Sequence, residues 1–298
     1  MKVLVDGDIL VYRAGFAADK TLYEVYLGEM PEGKPALETT TYRDVQNFVK
    51  GIEGQPHCVV RSAAQGGIEA ALGGAKDMIG TILDKSGADE MQIYLSGKKN
   101  FREDLATFAK YKGNRDKQRR PLFYQEIKDY LCNVWGAVYS DGCEADDAMG
   151  LAQEKDTMIV SIDKDLLQIP GRHFNWVRDE MTTVSIDEGI HLFYKQILTG
   201  DRTDNIVGIP GVGDKTAEKL LAKCPQDRWD TMIVEEYRKG FTKKPLEGCK
   251  ATKYGLTYNH HATGKECFKT YAEYAREVAQ LVWIQRKGGE ECPFHPTQ

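Results

Sequence analysis

Carboxylates that directly follow short β-branched runs limit the folds open to this chain. Val3-Leu4-Val5 runs straight into Asp6, and Met158-Ile159-Val160-Ser161 is followed by Asp163 and Asp165. Runs this short and apolar, bounded by turn residues, read as buried strands. Strand readings at 3–5, 92–95, 137–139 and 158–161 alternate with helix readings at 8–17, 65–85, 121–135 and 144–154. That alternation predicts an α/β fold with a mostly parallel central sheet flanked by helices. The C-terminal ends of parallel strands open onto one crevice, so acids placed just after strands would meet there.

The acids are also unevenly spread. Segment 141–165 holds Asp141, Glu144, Asp146, Asp147, Glu154, Asp156, Asp163 and Asp165 against Lys155 and Lys164, a local charge of −6. Glu144 and Asp147 share one helix face, with Asp146 beside them, and Asp201 and Asp204 repeat that spacing. The dipole of a helix N-terminus explains Glu144 or Asp147 taken singly. It does not explain Asp6, Asp163, Asp165, Asp201 and Asp204 at strand ends and turns. Crowded carboxylates raise one another's pKa and call for cations. Oxygen-rich sites select hard ions such as Mg²⁺ or Mn²⁺, and two such ions side by side suit phosphodiester hydrolysis.

The chain as a whole carries 40 Lys+Arg against 45 Asp+Glu, a net −5 that argues against a uniformly basic nucleic-acid coat. Locally the balance reverses. Segment 98–120 has nine basic residues against three acids, with Phe101, Phe108 and Tyr111 interleaved. Such a stretch offers phosphate contacts and stacking faces together. A charge run is ordinarily a solvated helix face, but the aromatics and the arginines favour the nucleic-acid reading. Farther on, Ile209-Pro210-Gly211-Val212-Gly213-Asp214-Lys215-Thr216-Ala217 joins two helical stretches within 186–223. Gly211 and Gly213 allow close backbone approach, and the helix start near Lys215 points amides at an anion, a backbone grip without base specificity.

The remaining features are less specific. Seven Cys, an odd number with no CxxC pair, indicate reduced thiols. His260, His261, Cys267, Cys292 and His295 match no zinc-site spacing. Residues 18–60 read as an insertion with a hairpin pairing 23–27 with 39–42, residues 225–268 show no clear period, and a last helix covers about 270–286. The acidic pair Asp6 and Asp8 interrupts any signal-peptide core, and no apolar run reaches membrane-spanning length. A cytoplasmic protein without membrane contact is therefore expected, with an α/β domain over 1–185 and a helical domain over 186–298.

Together these segments resemble the five-prime nuclease family, which includes flap endonucleases, phage 5′→3′ exonucleases and the nuclease domain of bacterial DNA polymerase I. Val5-Asp6-Gly7 with Tyr12-Arg13-Ala14 is similar to its opening motif, and Phe101-Arg102 with Tyr111-Lys112-Gly113-Asn114-Arg115 to its arch motif. Glu144-Ala145-Asp146-Asp147 and Asp163-Lys164-Asp165 match its acid motifs, and Gly200-Asp201-Arg202-Thr203-Asp204-Asn205-Ile206 through Ala217 its GDxxDNIxGxPGxGxKTA signature. The resemblance implies a PIN-like fold, a helical arch over 97–120 through which a 5′ single strand threads, and a helix-hairpin-helix at 203–221. It implies two Mg²⁺ or Mn²⁺ ions held by Asp6, Glu144, Asp146, Asp147, Asp163, Asp165, Asp201 and Asp204, and K⁺ at the helix-hairpin-helix. It gives Lys112, Arg115 and Asp146 catalytic roles, and places Arg102, Tyr111, Lys112, Arg115, Gly211, Gly213, Lys215 and Thr216 on DNA. The activity implied is structure-specific 5′ nuclease cleavage by a monomer of DNA with 5′ ends or flaps, and of RNA-DNA hybrids, leaving 5′-phosphates, in a bacterial or phage-infected cell. One departure stands out. The family places an Asp after the strand before the arch, where this chain reads Tyr94-Leu95-Ser96-Gly97; Asp8 is the candidate to replace it. Two rival readings are a PIN-type ribonuclease, against which the Gly-rich hairpin argues, and a non-catalytic DNA-junction binder, against which the retained acids argue.

Overall fold

The computed structural model describes residues 1–64, 67–115, 119–286 and 291–296. Its central sheet has six strands in the spatial order Val138–Ser140, Glu90–Ser96, Lys2–Asp6, Thr157–Val160, Gly171–Asn175 and Glu180–Val184. The first five run parallel, and only Glu180–Val184 is antiparallel to its neighbour. The α/β class expected from the alternation of elements is therefore the fold observed. Val3, Val5, Ile93, Leu95, Ile159 and Val160 are all fully or almost fully buried, as expected of strands covered on both faces.

Along the chain the sheet grows from Lys2–Asp6 to Glu90–Ser96 and Val138–Ser140 on one side, then returns to add Thr157–Val160 and Gly171–Asn175 on the other. The switch point lies between the strand ending at Asp6 and the strand ending at Val160, which pair in register from Lys2↔Thr157 to Val5↔Val160. Connections leave such a point in opposite directions and open a crevice at the C-terminal strand ends.

By internal contacts, residues 1–8, 82–118 and 136–298 form one unit, and residues 9–81 and 119–135 form a second. The second contains the expected hairpin: Lys20–Leu27 pairs antiparallel with Leu37–Thr39 and, on its other edge, with His57–Ala64. Within it, Asp19 accepts bonds from the guanidinium of Arg119 and from Leu122 N.

The first unit carries the sheet and the site. Its larger core gathers Phe193, Ile197, Ile233, Tyr237, Phe241, Leu256, Tyr274 and Val278, with Ala106 and Tyr111 of the basic segment packed into it. Two elements here lie in the stretch that shows no period at the sequence level. The helix Trp229–Lys243 buries Trp229, Ile233, Tyr237 and Phe241, an unbroken four-residue spacing masked by the polar residues between. Cys249–Ala251, Gly255–Asn259 and Glu266–Thr270 form a three-stranded antiparallel sheet. The last helix is shorter than expected, Tyr271–Val282, and the chain leaves it at Trp283.

Two boundaries differ functionally. The stretch 97–120 is helical, among the described residues, only over Phe101–Leu105 and a 3₁₀ turn at Gly113–Arg115, because its polar groups bond to other segments rather than to a continuing helix. Residues 203–207 are a turn and a strand, since Gly200–Asp201 pairs antiparallel with Ile206–Val207. The helix before the Gly-rich hairpin is Ile186–Thr199, and the one after it is Asp214–Lys223.

The helix Ala145–Ala152 fits against the residues following the last helix without room for a methyl group. A Cβ at Gly150 would lie 2.1 Å from Gln285 O. Gly150→Ala is expected to cost about 1–3 kcal/mol, read as a lower urea midpoint at unchanged m-value.

Candidate active site

The crevice is assembled by backbone-anchored carboxylates. Asp6 closes the central strand and is buried, with Oδ2 accepting a 3.0 Å bond from Ser161 Oγ. Ser161 follows the neighbouring strand, and the same hydroxyl accepts Asp163 N at 3.0 Å. One serine thus joins the two strand ends at the switch point. Asp163 in turn accepts Asp165 N at 2.9 Å. On the other side, Glu144 caps the helix Ala145–Ala152, with its own N donating to Asp147 Oδ2 at 3.1 Å. Asp201 turns the short hairpin by accepting Thr203 N at 2.7 Å.

The electrostatics show that these groups share one space. Burial pushes the Asp146 carboxyl well above the usual carboxylate range, and Asp6, Glu144 and Asp163 add to the shift. Asp163 is raised by burial and by Asp204 and Asp201, against the opposing bond from Asp165 N. Asp165 is pushed up to about 7 by burial, then by Asp163 and Asp201. Desolvated like charges have this effect.

Counter-charge comes from the basic segment. Lys112 Nζ bonds to Glu144 and lies 3.6 Å from Asp204, and Arg115 bonds to Asp204. Burial opposes the Lys112 charge, but Glu144 and Asp204 outweigh it and hold its pKa above the ordinary value. The backbone is clasped as well. Lys112 N donates to Asp204 O at 2.8 Å, Asn205 Nδ2 to Lys110 O at 2.9 Å, and Asn114 Nδ2 to Arg202 O at 2.8 Å. Lys112 and Asn205 both adopt left-handed backbone, at φ 54° and 60°, which the reciprocal bonds stabilise.

Three of the expected roles change. Asp147 is fully buried and bonded bidentately to Arg102, at 2.6 and 2.9 Å, with Gln285 N adding a third donor at 3.0 Å. Its two oxygens are committed to structural donors, so it is a structural anion and not a metal ligand. Arg102, 2% exposed, also donates to Leu281 O and Trp283 O at 2.8 and 2.5 Å. It has no access to DNA. The Tyr111 ring is buried in the larger core, and its hydroxyl lies 2.8 Å from both Glu144 Oε2 and Asp204 Oδ2. It presents no face for stacking on a base. By contrast Gly211, Gly213, Lys215 and Thr216 are all exposed on the hairpin and the helix start after it.

The position without the expected acid has its own function. Ser96 Oγ accepts Ala145 N at 3.1 Å and Ser96 N donates to Asp8 Oδ2 at 2.9 Å. Ser96 thereby ties the Glu144 helix to the strand and brings the Asp8 carboxylate to that point. Ser161 is a site residue that no motif flags, since an isolated serine after a strand has no distinctive spacing, and the sequence marks Ser96 only as the place of a missing acid. Among the described residues no three His, Cys, Asp or Glu side chains converge as a metal cage. That holds for the crevice, where Lys112 and Arg115 pair with Glu144 and Asp204, and for the C-terminal Cys and His residues; none of the seven cysteines is in a disulfide.

Two outcomes follow. Arg102→Ala is expected to leave Asp147 as an uncompensated buried charge and to destabilise the protein by about 3–5 kcal/mol, measured by urea denaturation; a surface DNA contact would leave stability unchanged. Raised carboxyl pKa values mean that the fold favours the protonated forms. The metal-free protein should therefore lose stability as pH rises from about 4 through about 7, and Asp165→Asn should flatten that part of a melting-temperature profile.

Several known proteins are similar to this chain. The family model of the 5'-3' exonuclease N-terminal resolvase-like domain matches residues 54–194. A 5'-3' exonuclease of Buchnera aphidicola subsp. Schizaphis graminum is 32% identical over 179 residues, covering 51% of this chain and 60% of that protein. An exodeoxyribonuclease of Enterobacteria phage T3 is 30% identical over 167 residues, covering 52% of each. DNA polymerase I of Bacillus subtilis is 32% identical over 248 residues, covering 74% of this chain and 23% of the polymerase. The chain thus spans at most 60% of the length of these relatives. The fold is that of the T5 5'-exonuclease solved with zinc, at TM-score 0.50 and 16% identity over 95% of this chain and 86% of that one. Over residues 54–194, then, the chain is similar to the N-terminal resolvase-like domain of 5'-3' exonucleases.

Proposed function

We propose that this chain is a divalent-cation-dependent 5′ nuclease that hydrolyses DNA phosphodiesters at 5′ ends and flaps, leaving 5′-phosphates. The observation that carries the reading is the crevice at the switch point, where carboxylates from separate segments face a docked Lys112 and Arg115. Its donor set is all hard oxygen, the chemistry that suits Mg²⁺ or Mn²⁺. The raised carboxyl pKa values mark an excess of negative charge that a cation pair would offset. Asp6, Glu144, Asp146, Asp163, Asp165, Asp201 and Asp204 are the residues that would hold the ions. Bound there, a cation pair supplies an acidified water and offsets charge on the scissile phosphate.

The chain's own groups do the rest. Lys112 and Arg115 exchange their carboxylate partners for the scissile phosphate, which they orient and neutralise. Tyr111 holds Glu144 and Asp204 from below. The exposed amides and side chains of Gly211, Gly213, Lys215 and Thr216 grip the duplex backbone, and the carbonyls of that hairpin offer a place for K⁺. A grip of this kind carries no base specificity, so the enzyme would select by structure and accept RNA-DNA hybrids as well as DNA, acting as a monomer. Among the described residues no helix is long and apolar enough to cross a membrane.

A labelled 5′-flap and a blunt duplex, each incubated with Mg²⁺ or EDTA, test the reading. Cleavage of at least one with Mg²⁺ and of neither with EDTA is expected; no Mg²⁺-dependent cleavage of either would overturn it. Asp146→Asn should abolish cleavage and leave duplex binding intact, and Arg115→Ala should lower kcat by about 10²–10³-fold. If Asp8 replaces the absent acid, Asp8→Asn should raise the Mg²⁺ concentration for half-maximal rate by about tenfold or more. An unchanged requirement would remove Asp8 from the cation site.

A further inference from the structure

Two glutamines outside the acid cluster connect it to the end of the chain. Gln196 lies on the helix Ile186–Thr199 and is 8% exposed, and its Nε2 donates to Asp165 Oδ1 at 2.9 Å. Its Oε1 accepts Gln168 Nε2, also at 2.9 Å. Gln168, fully buried in the turn that begins at Asp165, donates to Val282 O at 2.9 Å and accepts Ile284 N at 3.1 Å. Its carbonyl accepts Arg286 Nη2 at 2.5 Å. The same C-terminal strap donates Gln285 N to Asp147. Residues 282–286 therefore touch both acid motifs.

We propose that Gln196 is a positioning residue for the Asp165 carboxylate, and that the strap 282–286 sets its geometry through Gln168. A glutamine amide has a donor end and an acceptor end, so two in series transmit a fixed orientation only when both ends are engaged, as they are here. Burial of both amides makes a misplaced end costly. A carboxylate held this way presents its remaining lone pairs in one direction, as outer-shell partners of metal-binding carboxylates do. The strap thereby gives the C-terminal part of the chain a direct part in cation binding. The inference rests on the nuclease reading for the identity of the cation.

The test measures Mn²⁺ binding without DNA by electron paramagnetic resonance, alongside duplex affinity in Ca²⁺ and the thermal midpoint of the metal-free protein. Gln196→Met keeps the side chain's length and removes the donor. It is expected to weaken Mn²⁺ binding about 10–100-fold while duplex affinity stays within about twofold. Gln196→Leu also removes the donor, in a shorter side chain that adds no charge, and serves if the Met variant does not fold; it should weaken Mn²⁺ binding by a similar factor. In the nuclease assay both variants should recover rate at high Mg²⁺. Mn²⁺ affinity equal to the unmodified protein's would overturn the proposal. So would an equal loss of Mn²⁺ and duplex binding with a lower thermal midpoint, the mark of a purely structural role. If the unmodified chain binds no Mn²⁺ and cleaves nothing, the nuclease reading falls and the relay with it; if it does both and the variants match it, the relay alone falls.

Discussion

Mutual repulsion among carboxylates at the switch point is the constraint on which the rest of the structure depends. Asp6, Glu144, Asp146 and Asp163 sit where two adjacent strand ends and a helix start converge, with Asp6 buried, Glu144 and Asp146 half-buried and Asp163 exposed. The protein meets the repulsion in two ways. It lets proton affinity rise, as at Asp146 and Asp165, and it brings cations of its own, Lys112 on Glu144 and Arg115 on Asp204. The second solution explains the backbone of the basic segment. Lys112 and Asn205 take left-handed conformations because reciprocal bonds between 110–115 and 202–205 place the two cations over the acids.

Carboxylates with similar motif status divide into two populations. Asp147 and Asp146 are neighbours on one helix, yet Asp147 faces inward to Arg102 and the strap, whereas Asp146 faces the other acids. Breaking the Arg102–Asp147 pair would leave a charge in a dry interior, where one ion without its partner is far more costly than the pair is beneficial. Its value lies in tying the acid helix, the start of the basic segment and residues 281–285 to one point. The crevice thus rests on a buried ion pair whose two groups are committed to each other.

Serine and glutamine do comparable work with neutral groups. Ser161 bonds Asp6 and Asp163 together, Ser96 ties Ala145 and Asp8 to one strand end, and Gln168 with Gln196 spans from Asp165 to the strap. Each satisfies buried polar atoms that would otherwise cost about 1–3 kcal/mol apiece, and each restricts a carboxylate's direction. The aromatic core under the C-terminal helices backs this shell, with Tyr111 reaching from that core to Glu144 and Asp204.

The sequence by itself determined the class of fold and the gathering of the acids. Strand periodicity and the placement of Asp6, Asp163 and Asp165 after strands are local properties, and parallel strands send their C-terminal ends to one side whatever the details. The exposed hairpin at Gly211 and Gly213 was legible for the same reason, since its backbone demands are local. The helix at Trp229–Lys243 was present in the four-residue spacing of its buried residues but was obscured by polar neighbours, and the sheet at 249–270 had too little alternation to show. Only the tertiary structure decided which way each side chain faces. Asp147 and Asp146 differ by one position, and Arg102 and Arg115 belong to one basic run, so composition and motif treat each pair alike. Their environments differ because burial and hydrogen-bond partners come from residues far away in the chain, Leu281, Trp283 and Gln285 for one set and Asp204 for the other. That non-local supply of partners separates a buried ion pair from the cations that face the acid crevice.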